Sequence, residues 1–427
     1  MPQALSSADP FQVLGAPGGV EIHLLATSRF RTTVVQWIAE APLDGARAAR
    51  ALLPDLLTRG TRRSPGLAAM AARCEELFAA ELSSQVSGHG RRQLLRFGFE
   101  IVGDRHAGGR PLFSEGVELL SEVLHDPPLV EGRFRPDHVE QERANLVRAI
   151  EGLADDKATY AYRQMIEALH AGTPYALHSW GSVDAARALT EADARAAWRT
   201  LRAEAPVRML VVGEVSPEAA QSAAEALVAG STHRAPGTAL APPPDPGRPV
   251  QRLCEVQRLS QSKLVLGFRL RPETLSGAAA PLFALALGGD SHSRLFKRVR
   301  EKESLAYGCS AWVGLPSATL TVQAGIDAAA AERVERIVLE EIARLARGDL
   351  ADAELGLSRR AYQRQLRNLE DHPRAHCAFR LDALLDGRTP VVREALEQAA
   401  RVTPADVAEV AAGCRLDTVF LLEGRAP

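Results

Sequence analysis

The residues best suited to chemistry in this sequence lie between Leu287 and Tyr307, in LGGDSHSRLFKRVREKESLAY. Gly288 and Gly289 break a preceding helix, and a new one is predicted to begin at Ser291 or Ser293, either a competent cap. Leu295, Phe296 and Val299 then make an inward stripe, leaving Arg294, Lys297, Arg298 and Arg300 on other faces. The helix is expected to end near Ser304, after which Leu305, Ala306 and Tyr307 enter a strand. Arg300 and Tyr307 therefore straddle a helix-to-strand junction, and both carry donors suited to a carbonyl or an oxyanion. Taken from composition alone, a solvated helix arginine and a hairpin tyrosine need no function.

Other combinations carry less. His372 and His376 are spaced like two ligands on one helix face, but the intervening Pro-Arg-Ala offers no glutamate. Pro373 should start or kink a helix there, with Asp371 as its cap, so a surface or partly packed pair competes with a metal role. His170 and His178 flank a Gly-Thr-Pro turn and are explained by loop polarity. The sequence has no Gly-x-Ser-x-Gly elbow, Walker loop, dinucleotide fingerprint or EF-hand loop. The five cysteines (Cys74, Cys254, Cys309, Cys377, Cys414) are far apart and lack CxxC spacing. That argues against a disulfide framework or a cysteine-rich zinc site and for a reducing cytoplasm. Cys74, in the helical stretch AARCEELF, needs no catalytic explanation.

The elements that must position these residues fall into two similar halves. At about 150 residues per domain, a chain of 427 residues suggests two or three domains. Residues 231–250, STHRAPGTALAPPPDPGRPV, make a poor element and a good linker, because proline removes donors and favours extended backbone. This divides the chain into domains at 1–230 and 251–427. The halves end alike: LTEADARAAW then RMLVVGEV in the first, VTPADVAEVA then DTVFLLEG in the second. Thr190 and Thr403 sit where an N-cap hydroxyl belongs, each with an acidic residue three positions on. The repeated order of helix and β-branched run indicates an internal duplication.

Alternation predicts strands in GVEIHLLA, TTVVQWIAE, RQLLRFGFEIV and KLVLGFRL, and a hairpin from YGCSAWVGL and TLTVQAGI. Apolar spacing predicts helices at 44–58, 113–125, 136–153, 159–170, 278–303, 329–347 and 351–386. The expected fold class is α+β: two duplicated domains, each an antiparallel sheet with helices packed on one face.

Lys+Arg 51 against Asp+Glu 53 gives a net charge of −2, so no global pull toward nucleic acid or anionic membrane is expected. No secretory signal is visible at the start, and no run approaches the roughly 18 apolar residues of a membrane span. A cytoplasmic location is the expectation.

The Gly-Gly, Ser-Arg-Leu-Phe, Val-Arg-Glu-Lys and Leu-Ala-Tyr sequence of residues 288–307 resembles the C-terminal-half motif of the pitrilysin/insulinase family of zinc metallopeptidases. That family includes the mitochondrial processing peptidase and small bacterial two-subunit peptidases, and its members are built from duplicated α+β domains. The resemblance implies that Arg300 and Tyr307 bind the backbone of a peptide substrate. It also directs attention to ALLPDLLTRGT, residues 51–61, where the family carries His-x-x-Glu-His. Two histidines one turn apart hold zinc in such a motif, and the glutamate activates the metal-bound water. Here Ala51, Pro54 and Asp55 stand at those positions. The family's further glutamate ligand follows a Glu-Arg pair; Glu142-Arg143 is present, but Ala149 occupies the ligand position, with Glu142 or Glu151 as nearby alternatives.

The resemblance therefore implies a metal-free, non-catalytic subunit, inactive alone and without a cofactor of its own. A homologous chain bearing His-x-x-Glu-His would supply the zinc in a heterodimer, with Arg300 and Tyr307 orienting the peptide and stabilising developing negative charge. The alternative is an inactive homologue that serves as a scaffold or peptide-binding protein. A self-sufficient hydrolase using His372 and His376 is a third reading.

Overall fold

The computed structural model describes residues 11–15, 17–237, 242–243, 245–275, 277–369, 371–388 and 392–425. Parts of the expected linker (238–241 and Pro244) and the first ten residues of the chain lie outside the described residues. The chain forms two compact units, both composite. One comprises the described residues within Met1–Glu151, His178–Ala239 and Leu369–Val391; the other comprises those within Gly152–Leu177, Leu240–Asn368 and Val392–Pro427.

The first unit contains strands β1 (Gln12–Gly15), β2 (Glu21–Ala26), β3 (Thr32–Pro42), β4 (Glu81–His89), β5 (Arg92–Val102) and β6 (Val207–Gly213). The second contains β7 (Gln251–Arg258), β8 (Ser262–Arg269), β9 (Ala306–Gly314), β10 (Thr319–Ile326) and β11 (Arg415–Arg425). The helices, in chain order, begin with α1 (Arg47–Thr58), α2 (Leu67–Glu76), α3 (Leu112–His125), α4 (Pro136–Gly152) and α5 (Lys157–Leu169). There follow α6 (Val183–Arg187), α7 (Glu191–Ala203), α8 (Pro217–Val228), α9 (Ala279–Gly288) and α10 (Ala331–Ala346). The last are α11 (Asp352–Leu369), α12 (Pro373–Leu385), α13 (Val392–Arg401) and α14 (Pro404–Ala412).

The α+β duplication is explicit in the strand order. The sheets run β1-β2-β6-β3-β5-β4 and β7-β11-β8-β10-β9. In each, the strand that ends the repeat inserts beside the centre, parallel to one neighbour and antiparallel to the other: β6 between β2 and β3, β11 between β7 and β8. The sheets are thus mixed rather than purely antiparallel, because a strand returning through a helix can enter parallel to its neighbour whereas a tight hairpin cannot. The preceding helices, α7 and α14, each start with a complete capping box, Thr190 with Asp193 and Thr403 with Asp406.

Both faces of each sheet are covered, where the sequence suggested one. In the first unit α1, α3, α7 and α8 pack on one face through Leu52, Leu56, Leu120, Trp198 and Leu227. The opposite face, with Leu25, Val34, Ile38, Leu94, Leu210 and Val212, is covered by Cys377, Leu381 and Leu385 of α12. That helix is pinned by Arg374 to Glu81 at 2.9 Å, by Arg374 to Glu100, and by Asp386 to His89 at 2.9 Å. The second unit repeats the arrangement: α9, α10 and α14 build the main core, and α5 covers Val265, Phe420 and Leu422 on the other side. Gly267 on β8 makes room for α5, since a Cβ there would lie 2.4 Å from Met165 Sδ.

Two predicted helices are broken. The stretch 278–303 divides after Gly288, and 351–386 divides into α11 and α12, the latter restarting at Pro373 in the first helical turn, where its missing N–H costs nothing. Strands β4 and β7 escape the pattern because both are edges with mostly exposed or half-buried residues.

Leu381 is fully buried under the first sheet. Leu381→Ala should lower unfolding stability by about 2–5 kcal/mol, read as a shift in the denaturant midpoint of the first unit's transition. A loss below about 1 kcal/mol would show that α12 contributes little to that face.

Candidate functional site

Helix α1 carries the first set of candidate residues. Ala51 is buried, Pro54 is buried in mid-helix, and Asp55 lies on the exposed side one residue on. Proline at position 54 removes the N–H that would bond the carbonyl of Arg50. Thr58 Oγ1 donates to the Pro54 carbonyl at 2.8 Å. From α4, Glu142 is brought toward α1: it is buried, pairs with Arg59, and accepts from Asn145 Nδ2 at 2.8 Å. Partial burial, and secondly the charge of Glu142, hold the Asp55 carboxyl above the usual carboxylate range. Ala149 is exposed on α4, two turns beyond Glu142, and Glu151 is taken by Arg187 at 2.6 Å.

These residues do not fit a zinc ion. Ala51, Pro54 and Ala149 offer no ligand atom, Asp55 gives one carboxylate, and Glu142 is already committed to a guanidinium. Among the described residues no group of three or more His, Cys, Asp or Glu could hold a metal ion.

Arg300 and Tyr307 are brought together. Residues Phe296–Lys302 wind as a π-helix, seen in the bond from Glu303 N to the Arg298 carbonyl at 3.0 Å. Such wide turns are rare and often mark functional sites. Ser304 then adopts φ 52°, a left-handed conformation uncommon for a non-glycine residue, and turns the chain into β9. The result places the Arg300 guanidinium carbon 4.7 Å from the Phe296 ring centroid and 5.1 Å from that of Tyr307. Both distances lie within cation–π range. Arg300 is exposed and Tyr307 is 79% exposed, at the start of an edge strand. The expected stripe is present, with Leu295 and Val299 fully buried. Neither Ser291 nor Ser293 caps by its side chain; Ser293 Oγ instead donates to the Asp290 carbonyl at 2.6 Å. Phe296, assigned to the stripe by spacing, also serves as the second ring beneath Arg300, and its position four residues before the arginine is the signal for that.

The histidine pair does not converge. His372 is exposed at the N-cap of α12, while His376 is buried, with its ring 5.8 Å from that of Phe30. Asp371 does not cap the helix and pairs with Arg29 at 3.1 Å. His170, in the turn that ends α5, is not explained by loop polarity: it is 1% exposed, and burial together with the Arg269 charge pushes its pKa down to about 4. His178 packs edge-on to Trp180. Among the described residues no helix is long and apolar enough to cross a membrane.

Residues 188–362 match the family model described as the peptidase M16 inactive domain. The chain is also 26% identical over 411 residues to the probable inactive metalloprotease YmfF of Bacillus subtilis (strain 168), covering 95% of this chain and 96% of that protein. The chain is thus similar to M16, or pitrilysin-like, peptidases, and to inactive ones in particular. Solved structures share the fold of this chain. A conserved protein from Enterococcus faecalis V583 superposes with a TM-score of 0.90 at 24% identity, over 98% of this chain and 100% of that one. A peptidase M16 inactive domain from Pseudomonas fluorescens gives 0.78 at 17% identity, over 97% and 98%.

The raised Asp55 carboxyl means that ionising it costs the folded state more than the unfolded chain. The sign follows: this destabilisation is present above the folded-state pKa and vanishes below the unfolded value, about 3.9. Asp55→Asn should therefore raise the melting temperature at pH 7, with the gain disappearing as the pH falls below about 4. A gain that persists undiminished at low pH would refute the charge origin.

Proposed function

We propose that this chain is a catalytically inactive M16 homologue that binds extended polypeptide and does not itself break its amide bonds. The single observation that carries this reading is the contrast between two motifs. The zinc-motif positions Ala51, Pro54, Asp55 and Ala149 retain one carboxylate between them, whereas Arg300 and Tyr307 retain exposed donors. The names of the matching family model and of the B. subtilis relative, both inactive, support the loss of catalysis. Extended segments would bind by strand addition, which needs a sheet edge: β4, packed against α1, and β9, which carries Tyr307, are both edge strands. Main-chain pairing of that kind accepts many sequences, which suits unfolded substrates.

A second reading is that the bound peptide is presented to a homologous chain bearing His-x-x-Glu-His, whose zinc water attacks the scissile carbonyl. What favours it over a bare scaffold is the exposed Arg300–Tyr307 pair, which supporting a fold does not require. In that setting the two donors would orient the main chain and stabilise the charge that develops on the carbonyl oxygen. The cytoplasm is the proposed location for both readings.

The purified chain should bind a fluorescein-labelled unfolded peptide equally well with and without a chelator, and should leave it intact. Arg300→Ala combined with Tyr307→Phe should abolish most of that binding. If a zinc-bearing homologue co-purifies, the double variant should lower cleavage by the pair on the order of 10²-fold. Chelator-sensitive cleavage by the isolated chain would overturn the first reading, and undiminished cleavage by the variant pair would overturn the second.

A further inference from the structure

The geometry points to a carboxylate as the group that Arg300 recognises, so that the peptides this chain binds are ones offering an acidic side chain or a free C-terminus near β9. This rests on the peptide-binding reading and names the substrate class for it.

Five cations lie between Arg294 and Lys302, and they divide sharply by partner. Arg294 is forked onto Glu354 at 2.7 and 2.9 Å, and Arg298 bonds Glu341 at 2.8 Å and also Glu340. Those two fasten the π-helix to α10 and α11. Glu303, the nearest acid after the π-helix, is taken by Arg333. Lys297, Arg300 and Lys302 are exposed, and among the described residues none of the three has a carboxylate within ion-pairing distance. The whole sequence uses lysine only at positions 157, 263, 297 and 302, so half of its lysines flank this one arginine. The chain as a whole is nearly neutral, at −2, so this is a local field and not a reflection of overall charge.

Arg300 differs from its neighbours in being oriented without being neutralised. The rings of Phe296 and Tyr307 lie against its guanidinium at 4.7 and 5.1 Å. Aromatic contacts restrict the side chain but accept no conventional hydrogen bond, so its five N–H groups remain without a protein acceptor among the described residues. A guanidinium held in this way has already lost much of its rotamer freedom, and its planar fork matches a carboxylate through two parallel bonds. A peptide carbonyl can accept only part of that fork. The exposed Tyr307 hydroxyl adds a further donor at the start of the same edge strand.

The test is fluorescence anisotropy on the full-length chain with four versions of one fluorescein-labelled peptide. The first ends in glutamate with a free C-terminus; the second is amidated; the third has glutamine for glutamate; the fourth is both amidated and glutamine-substituted. The fully charged peptide should bind roughly ten- to a hundredfold more tightly than the doubly neutral one, with the margin shrinking in high salt. Arg300→Ala should erase the margin, and Arg300→Lys should restore only part of it, because an ammonium lacks the fork. Arg300 is exposed, so these variants should keep the wild-type circular dichroism spectrum and melting temperature. Whichever single neutralisation removes the margin identifies the source as the terminus or the side chain, and either supports the proposal. Equal affinity for all four peptides would overturn it while leaving the peptide-binding reading intact. A margin that survives Arg300→Ala would also overturn it, and failure of every peptide to bind would overturn both.

Discussion

The architecture depends on a single constraint: the strand that closes each repeat is apolar on both sides. β6 is buried along its whole length, with Met209 and Val211 turned to one core and Leu210 and Val212 to another. In β11, Val419 and Phe420 divide in the same way. A strand of that kind cannot sit at an edge or under a sheet with one bare face, because each uncovered side chain forfeits about 1.5–3 kcal/mol of burial. It must lie in the interior of a sheet covered on both sides. The insertion of β6 and β11 between strands that precede them in the chain and the parallel pairing follow from this. So does the recruitment of α12 and α5 to the second faces.

That logic also explains what was legible in the sequence. Strands with a clear apolar rhythm, such as β5 and β8, and helices opened by threonine capping boxes are specified locally, and their extents follow closely from the residues themselves. The edges β4 and β7 carry little such rhythm, since one side of an edge strand pairs with nothing and its side chains are free to be polar. The doubly covered sheets were hidden for another reason. α5 reads as an ordinary amphipathic helix and α12 as the tail of one long helix over 351–386, and nothing in their spacing says which sheet they will cover, as that is decided by contacts far away in the sequence.

The candidate site divides along the same line. Arg300, Tyr307 and the empty zinc-motif positions were visible as residue types in a known pattern. Their arrangement was not, because it comes from a wide helical turn and a left-handed serine that periodicity does not register. The contrast within the motif segment is also physical. Arg294 and Arg298 contribute attachment, through carboxylates that fix the π-helix in place. Arg300 is held instead by aromatic rings, which restrain it and leave its charge available. On α1 the balance is reversed: proline, alanine and the Glu142–Arg59 pair fill the ground with packing and internal charge pairing.

The order of segments along the chain has a consequence for biosynthesis. During vectorial synthesis the strands of the first sheet leave the ribosome well before residues 373–385 exist, so the patch formed by Leu25, Val34, Ile38, Leu94, Leu210 and Val212 must wait for its cover. In that interval the nascent polypeptide presents a sticky surface to its neighbours. A chaperone that recognises exposed aliphatic clusters would find its client in the long translational gap between β6 and α12.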